Sequence, residues 1–567
     1  MHFLETIFDN LSSTPEKPLL HEIRAGQLVS CTCAELLGNI QRARCTLRKV
    51  GFQPGDRCAL LSPNSIQWVS LDLAIMAEGG IVVPLYSRQP PLELVQMMKD
   101  SSPRLLCCAN TELRNAISKV WAELPATLLF EEIFDPLRSI SVPDLKENLT
   151  GKAEQPTRLA DSSPVTIIYT SGTSGNAKGV ALTAGNITFM LQRTTARLVE
   201  LMQDVKKSGD DRVFHYLPFC FASSWILLFT CLYRNNALML STDLNKLADD
   251  LQIAQPHYLV NVPALLERIR TGIQDQLHGR GGVTRSLFRG AQRAWSNRNT
   301  GQAGSLDSIT LAIAQFLLFP RIKRKISPNL RALICGSAPL SEETQLFFQM
   351  IGIPILQVYG LTETTGICTM DDVHEVTAGR VGPAISGIEM KLGANDEILV
   401  RGPNVFPGYW NRPDATAEVI RDEWFHTGDQ GEVDTKGNWK IIGRLKNLLI
   451  PTSGHNISPE PLEQKLVSLL PEAEFAMVVG NGRKFLSTVI SGNVTEKRVE
   501  IALDTLNREL PHYKQLRKFY LTPEPFSVEN GLLTTNRKIK RAAVESRYQS
   551  AIDALYRDST QPHDDRS

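Results

Sequence analysis

The sequence predicts an α/β protein in which a large N-terminal domain of parallel sheets is followed by a β-rich subdomain and a small α+β C-terminal domain. Three observations carry this. Short apolar runs of strand type alternate with helix-length segments. From about residue 395 they give way to shorter, turn-rich strands, and beyond about 445 a separate α+β pattern begins. A chain of 567 residues exceeds what one hydrophobic core holds, and 42% hydrophobic content can fill more than one.

In chain order, "RCALLSP" precedes the helical "QWVSLDLAIMAEGG", and "IVVPLY" precedes "PPLELVQMMKDS". Later strands are "HYLVNVP", "RALICGS" and "PILQVYG". Nearly continuous apolar runs of this length predict buried, largely parallel sheets, with ligands gathering in the loops after strand ends. "EILVRGPNVFPGYW" and "GEVDTKGNWKIIG" mark the β-rich subdomain, placed at about 385–444. After "GRLKN", the run "LEQKLVSLL", "EAEFAMVVGN", "FLSTVISGN", "KRVEIALDTLNREL" predicts a C-terminal domain over 445–567, leaving 1–444 as the large domain.

Charge and cysteine usage exclude some functions. With 61 Lys and Arg against 60 Asp and Glu, nothing argues for nucleic acid as a partner. The ten cysteines form no CxxC pair, so neither a zinc site nor a disulfide framework is expected and a reducing, cytoplasmic setting is the default. The start, "MHFLETIFDN", is not expected to be a signal peptide, and no run reaches the about 18–20 apolar residues of a membrane span. One segment, "ITLAIAQFLLFPRIKRKI" (309–326), joins an apolar helix to a basic cluster. It is taken as a packing helix whose basic end complements its dipole, with peripheral contact to the inner face of a membrane as the alternative.

The stretch "VTIIYTSGTSGNAKGV" (165–180) is an apolar strand that breaks into hydroxyls, glycines and Lys178, the composition of a phosphate cradle. It is not a Walker loop, because Lys178 is followed by Gly179 rather than Ser or Thr. Four further stretches have the composition of sites: "CGSAPLS" (335–341), "QVYGLTETTG" (357–366), "WFHTGDQGEV" (424–433) and "GLLTTNRKIKRAAV" (531–544). They offer close backbone approach to a flat ligand, a stacking ring beside an oxygen ligand for a hard cation, a carboxylate in a glycine-flanked turn, and an exposed basic loop. Singly, each also reads as a tight turn or a solvated charged face.

In this order and together they resemble the acyl-activating, AMP-forming superfamily of acyl-CoA synthetases, firefly-type luciferases and peptide-synthetase adenylation domains. The likeness runs from "PGDRCALLSPNSIQW" through "VRGPNVFPGYWNRPDAT" to the basic loop. It implies stacked α/β sheets and a C-terminal domain that moves as a lid. ATP, Mg²⁺ and CoA would be bound. Thr170, Ser171, Gly172, Thr173, Ser174, Gly175 and Lys178 would hold the β- and γ-phosphates, and Tyr359 would stack adenine against Gly336, Ser337 and Ala338. Thr362 would contact the α-phosphate, Glu363 would bind Mg²⁺ with help from Thr170, and Asp429 and Arg444 would grip the ribose. Lys538 would bring substrate carboxylate and α-phosphate together. Lys446 would be the hinge, and Gly454 and His455 would face the thiol acceptor after rotation.

Within the superfamily the resemblance is closest to long-chain fatty acyl-CoA synthetases. It is carried by "TSGHNISPEPLE", "LLTTNRKIKR" and the long basic insertion from "VPALLERIRTGIQDQLHG" to "LFPRIKRKISPNL". Phe221 and Trp225 of "LPFCFASSW" are acyl-pocket candidates. Phe221 stands where relatives often carry His, Ala177 where Pro is usual, and "TTNRK" replaces the commoner "PTGK" before the catalytic lysine. The expected partners are a medium- or long-chain fatty acid and CoA. An acyl carrier protein as acceptor, an aryl acid as substrate and an inactive binding scaffold stand as alternatives.

Overall fold

The computed structural model describes residues 2–135, 154–170, 177–203, 211–279, 281–372, 374–534 and 537–557. Two sheets organise the larger part of the chain. One has seven strands, in spatial order Gly408–Tyr409, Lys178–Thr183, Pro164–Thr170, Ile81–Leu85, Arg57–Leu61, Leu105–Cys108 and Ala126–Leu129. The other has eight: Thr369–Met370, Ile355–Tyr359, Ala332–Cys335, Tyr258–Asn261, Arg212–His215, Ala237–Leu240, Pro18–Arg24 and Gln27–Thr32. In the eight-stranded sheet the interior pairings are parallel and an antiparallel strand closes each edge; in the seven-stranded sheet the pairings from Pro164–Thr170 to Ala126–Leu129 are parallel and the two at the other end are antiparallel. The expected fold class is therefore observed.

Local chemistry explains the helices that carry these sheets. Thr32 and Glu35 form a reciprocal capping box at the start of Cys33–Lys49. Helix Ile66–Ala77 is largely apolar and, but for half-buried Gln67, buried. Its one charged residue, Asp72, is wholly buried and accepts the indole N–H of Trp225 at 2.9 Å. That bond, together with ring contact to Phe229 at 4.2 Å, fixes Trp225 in the core. Trp225, an acyl-pocket candidate, is thus held within the core by both contacts.

By internal contacts the chain divides into two compact units. The first comprises Met1–Met390, Val400–Phe425 and Val433–Trp439, and the second Lys391–Leu399, His426–Glu432 and Lys440–Ser567. The division runs through strands of a five-stranded sheet in the region expected to be β-rich. Within the second unit, strands Ala473–Val479, Leu486–Gly492 and Leu516–Leu521 form a sheet whose alternating side chains feed two cores. Ala476 and Val478 join one, and Met477 and Val479 the other.

Buried His215 ends strand Arg212–His215 and stacks on Phe219 at 5.3 Å. Burial lowers its pKa to about 3. The unfolded chain binds a proton near pH 6.5 that the folded chain refuses, so this group destabilises the fold as pH falls below about 6.5, by up to about 1.4 kcal/mol per pH unit. The melting temperature of the parent should therefore fall more steeply from pH 7 to 4 than that of His215→Phe. Equal slopes would remove His215 from the acid sensitivity.

Candidate active site

The glycine-rich loop lies between two antiparallel strands, Pro164–Thr170 and Lys178–Thr183, in which Thr170 pairs with Lys178. Ser171, Gly172, Thr173, Ser174 and Gly175 lie outside the described residues. Among the described residues a strand rather than a helix follows, and Lys178 is its first residue. The ammonium of Lys178 sits 4.8 Å from the centre of the Tyr409 ring. The Tyr409 hydroxyl in turn donates to Glu363 Oε1 at 2.9 Å. Burial first, then the Glu363 carboxylate, push the phenol of Tyr409 up, so it stays protonated as a donor.

Lys178, expected at the β- and γ-phosphates, and Glu363, expected to bind Mg²⁺, are thereby joined through one ring. Sequence reasoning missed Tyr409. It lies in the quoted "NVFPGYW", but its role comes from the pairing of Gly408 with Ala181 and of Tyr409 with Val180, strands remote in the chain.

Neighbouring parallel strands place the remaining candidates of this unit. Ala332–Cys335 leads into Gly336, Ser337 and Ala338, and Ile355–Tyr359 ends at Tyr359, with Cys335 opposite Gln357. Gly336 is required, since a Cβ there would lie 2.7 Å from Val358 Cγ2. Ser337 adopts φ +72° and is exposed. After Tyr359 the chain doubles back so tightly that a Cβ on Gly360 would meet Gly366 O at 2.5 Å. The 3₁₀ turn Thr362–Thr364 then presents half-buried Thr362 and Glu363, and the Glu363 carbonyl accepts the Phe406 amide at 2.9 Å.

In the second unit Asp429 lies inside strand Trp424–Val433 rather than in the expected glycine-flanked turn. The strand accommodates it through Gly428 at φ +69°, whose amide donates to Glu397 Oε1 at 3.0 Å, while the Asp429 amide donates to Thr427 Oγ1 at 3.0 Å. Asp429 is buried and accepts Arg444 Nε at 3.1 Å. Lys538 stands on a tight turn in which the Thr534 amide donates to the Lys538 carbonyl at 2.8 Å and the Lys538 amide to Thr534 Oγ1 at 3.0 Å. Buried Leu532 and Leu533 root this turn in one core. Arg541 anchors its far side on Glu463 at 2.5 Å.

The pKa of Lys538 is lowered, by desolvation first and by the Arg444 guanidinium second, with Asp429 opposing. The residue remains exposed, so its ammonium is crowded by protein without being sealed from water. Asp429, Arg444 and Lys538 thus form one electrostatic group. Lys446 is exposed in the 3₁₀ turn Leu445–Asn447. Gly454 and His455 are exposed on a loop, with the imidazole stacked on Tyr513 at 4.1 Å.

Phe221 is half-buried, 5.9 Å from the Tyr86 ring. Among the described residues no three His, Cys, Asp or Glu cluster as a metal cage. Mg²⁺ at nucleotide sites takes only one or two carboxylates and completes its shell with phosphate and water oxygens, so Glu363 with the Thr170 hydroxyl fits that donor set.

The chain matches the family profile described as AMP-binding enzyme over residues 7–410, and that described as AMP-binding enzyme C-terminal domain over 446–560. It is 27% identical to the long-chain-fatty-acid–CoA ligase FadD15 of Mycobacterium bovis, covering 97% of this chain and 96% of that protein. It is also 27% identical to long chain acyl-CoA synthetase 3 of Arabidopsis thaliana, covering 97% and 91%. Among solved structures it is similar to o-succinylbenzoate CoA synthetase (MenE) from Bacillus subtilis in complex with its acyl-adenylate intermediate. The TM-score there is 0.73 at 20% identity, over 95% of this chain and 98% of that one, a likeness of fold alone.

Proposed function

The chain belongs to the AMP-binding enzyme family and is an adenylate-forming acid–CoA ligase, and we propose that its acid is a medium- or long-chain fatty acid. A carboxylate oxygen attacks the α-phosphorus of ATP and pyrophosphate leaves. The thiol of CoA then attacks the acyl carbonyl and AMP leaves. Support for the acid comes from the relatives named above, which match over 97% of this chain.

The observation that carries the adenylation reading is the grouping of Asp429, Arg444 and Lys538. Two anions must meet in line, and a positioned ammonium lowers both their repulsion and the charge that builds in the transition state. Lys538 fills that role, with Asp429 and Arg444 holding the ribose of the same nucleotide. Thr170 and Lys178 take the terminal phosphates, Tyr359 with Gly336, Ser337 and Ala338 takes the adenine, and Thr362 the α-phosphate. Glu363 would hold Mg²⁺, which when bound neutralises phosphate charge. Lys446 is the hinge, and Gly454 and His455 face the thiol.

Acid-dependent pyrophosphate release, followed from acetate to stearate and with benzoate, with and without CoA, tests this. Release should peak at medium or long chains, with CoA consumed in step. A peak at benzoate or acetate overturns the fatty-acid assignment, and release without CoA consumption overturns CoA as acceptor in favour of a carrier-protein pantetheine.

A further inference from the structure

The apolar-basic segment behaves differently from the packing helix expected of it. It forms two helices, Ser305–Leu317 and Phe319–Ile326, bent by 42° at a break around Leu318. Pro320 in the first turn of the second helix explains the break, because it has no N–H with which to continue the first. Helix Gly282–Asn299 packs beside Ser305–Leu317. Asn297 donates to Asp307 at 3.1 Å near the connecting loop, and a Cβ on Gly290 would lie 3.1 Å from Thr310 Cγ2 further along. The two helices therefore run antiparallel.

Only one face of Ser305–Leu317 is used in this packing. Leu311 and Ala314 enter the core with Phe288, Ala291 and Ala294. Leu306, Ile309, Ile313, Phe316 and Leu317 recur at helical spacing on the opposite side and are exposed, Leu306 at 79% and Phe316 at 82%. No charged residue occurs from 308 to 320. The surroundings are strongly basic: residues 279–326 hold nine Arg and Lys and one acid, Asp307, although the whole chain is balanced at +1. Arg289, Arg293, Arg321, Arg324 and Lys325 are exposed.

We propose that this helical hairpin is a docking surface for an anionic lipid bilayer, with Ser305–Leu317 lying in the interface and its basic flanks on the headgroups. An uncharged apolar stripe framed by cations is complementary to acyl chains beneath anionic headgroups. The helix lies on the bilayer and does not span it. Thirteen residues reach about 20 Å against a hydrocarbon core of about 30 Å. Its other face is built into the protein core, and Arg321, Lys323, Arg324 and Lys325 follow at once. Among the described residues no single helix is long and apolar enough to cross a membrane.

The test is sedimentation of the full-length protein with vesicles of phosphatidylcholine alone or with phosphatidylglycerol at one part in three. The parent should bind the anionic vesicles at least tenfold more tightly than the neutral ones and be released by 0.5 M salt, a concentration at which the Debye length falls to about 4 Å. Ile313→Ser with Phe316→Ser, and separately Arg321→Glu with Arg324→Glu, should each weaken binding at least tenfold while leaving melting temperature and pyrophosphate release in lipid-free buffer unchanged. Parent binding unaltered in both variants would overturn the proposal, as would no parent binding, or a parent dimer in light scattering that the serine variant dissolves. Because the readout needs no substrate, its failure is separable from failure of the fatty-acid assignment.

Discussion

Lys538→Ala should slow acid-dependent pyrophosphate release about 100- to 1000-fold, the loss expected when one preorganised charge donor is removed from a transition state. The KM for ATP should change much less, because Lys178, Tyr359, Asp429 and Arg444 are retained. A pH signature accompanies the effect. The pKa of Lys538 lies below the ordinary lysine value of 10.5, chiefly through desolvation and then through Arg444. The ammonium is the working form, so the rate should hold at lower pH and fall as pH rises through that lowered pKa. In Lys538→Arg the residual rate should lack this alkaline limb, because a guanidinium does not titrate there. A parent-like rate in Lys538→Ala, or the same limb in Lys538→Arg, would move the function to another residue.

Glu363→Gln should cost about as much, roughly 100-fold or more in kcat, and should raise the Mg²⁺ concentration for half-maximal rate, since the carboxylate is the proposed hard oxygen ligand of the metal. Tyr409→Phe leaves the ring over Lys178 but removes the 2.9 Å bond to Glu363. A hydrogen bond to a charged group contributes about 1.5–3 kcal/mol, so a loss of about 10- to 100-fold is expected. Because both changes act on one bonded pair, the double variant should lose less than the sum of the two in free energy. Strict additivity, with melting temperatures unchanged, would show that Tyr409 does not position Glu363.

The strands that carry the site were readable because each is a short apolar run bounded by turn residues, as in "RALICGS" and "PILQVYG", and the motifs after them have compositions that cores do not need. What could not be read is what depends on remote pairing. Tyr409 acquires its place from a strand formed by Lys178–Thr183, and Asp429 from Gly428 bending a strand that composition presents as a turn. The bond of Trp225 to Asp72 was equally unreadable, because the two residues lie on helices far apart in the chain. The break near Leu318 was foreshadowed by Pro320, whereas the exposure of one apolar face depends on which side Phe288 and Ala291 cover. Chain length of the acid left no local signature, since pocket depth is set by packing between distant segments.

The central claim is that the acid is activated through its own oxygen attacking the α-phosphate. It is tested most directly by turning over a fatty acid labelled with ¹⁸O in both carboxylate oxygens, with ATP and CoA, and weighing the products. One labelled oxygen should appear in AMP for each acyl-CoA formed, and none in pyrophosphate. ADP as product, label in a terminal phosphate, or unlabelled AMP would contradict the acyl-adenylate route.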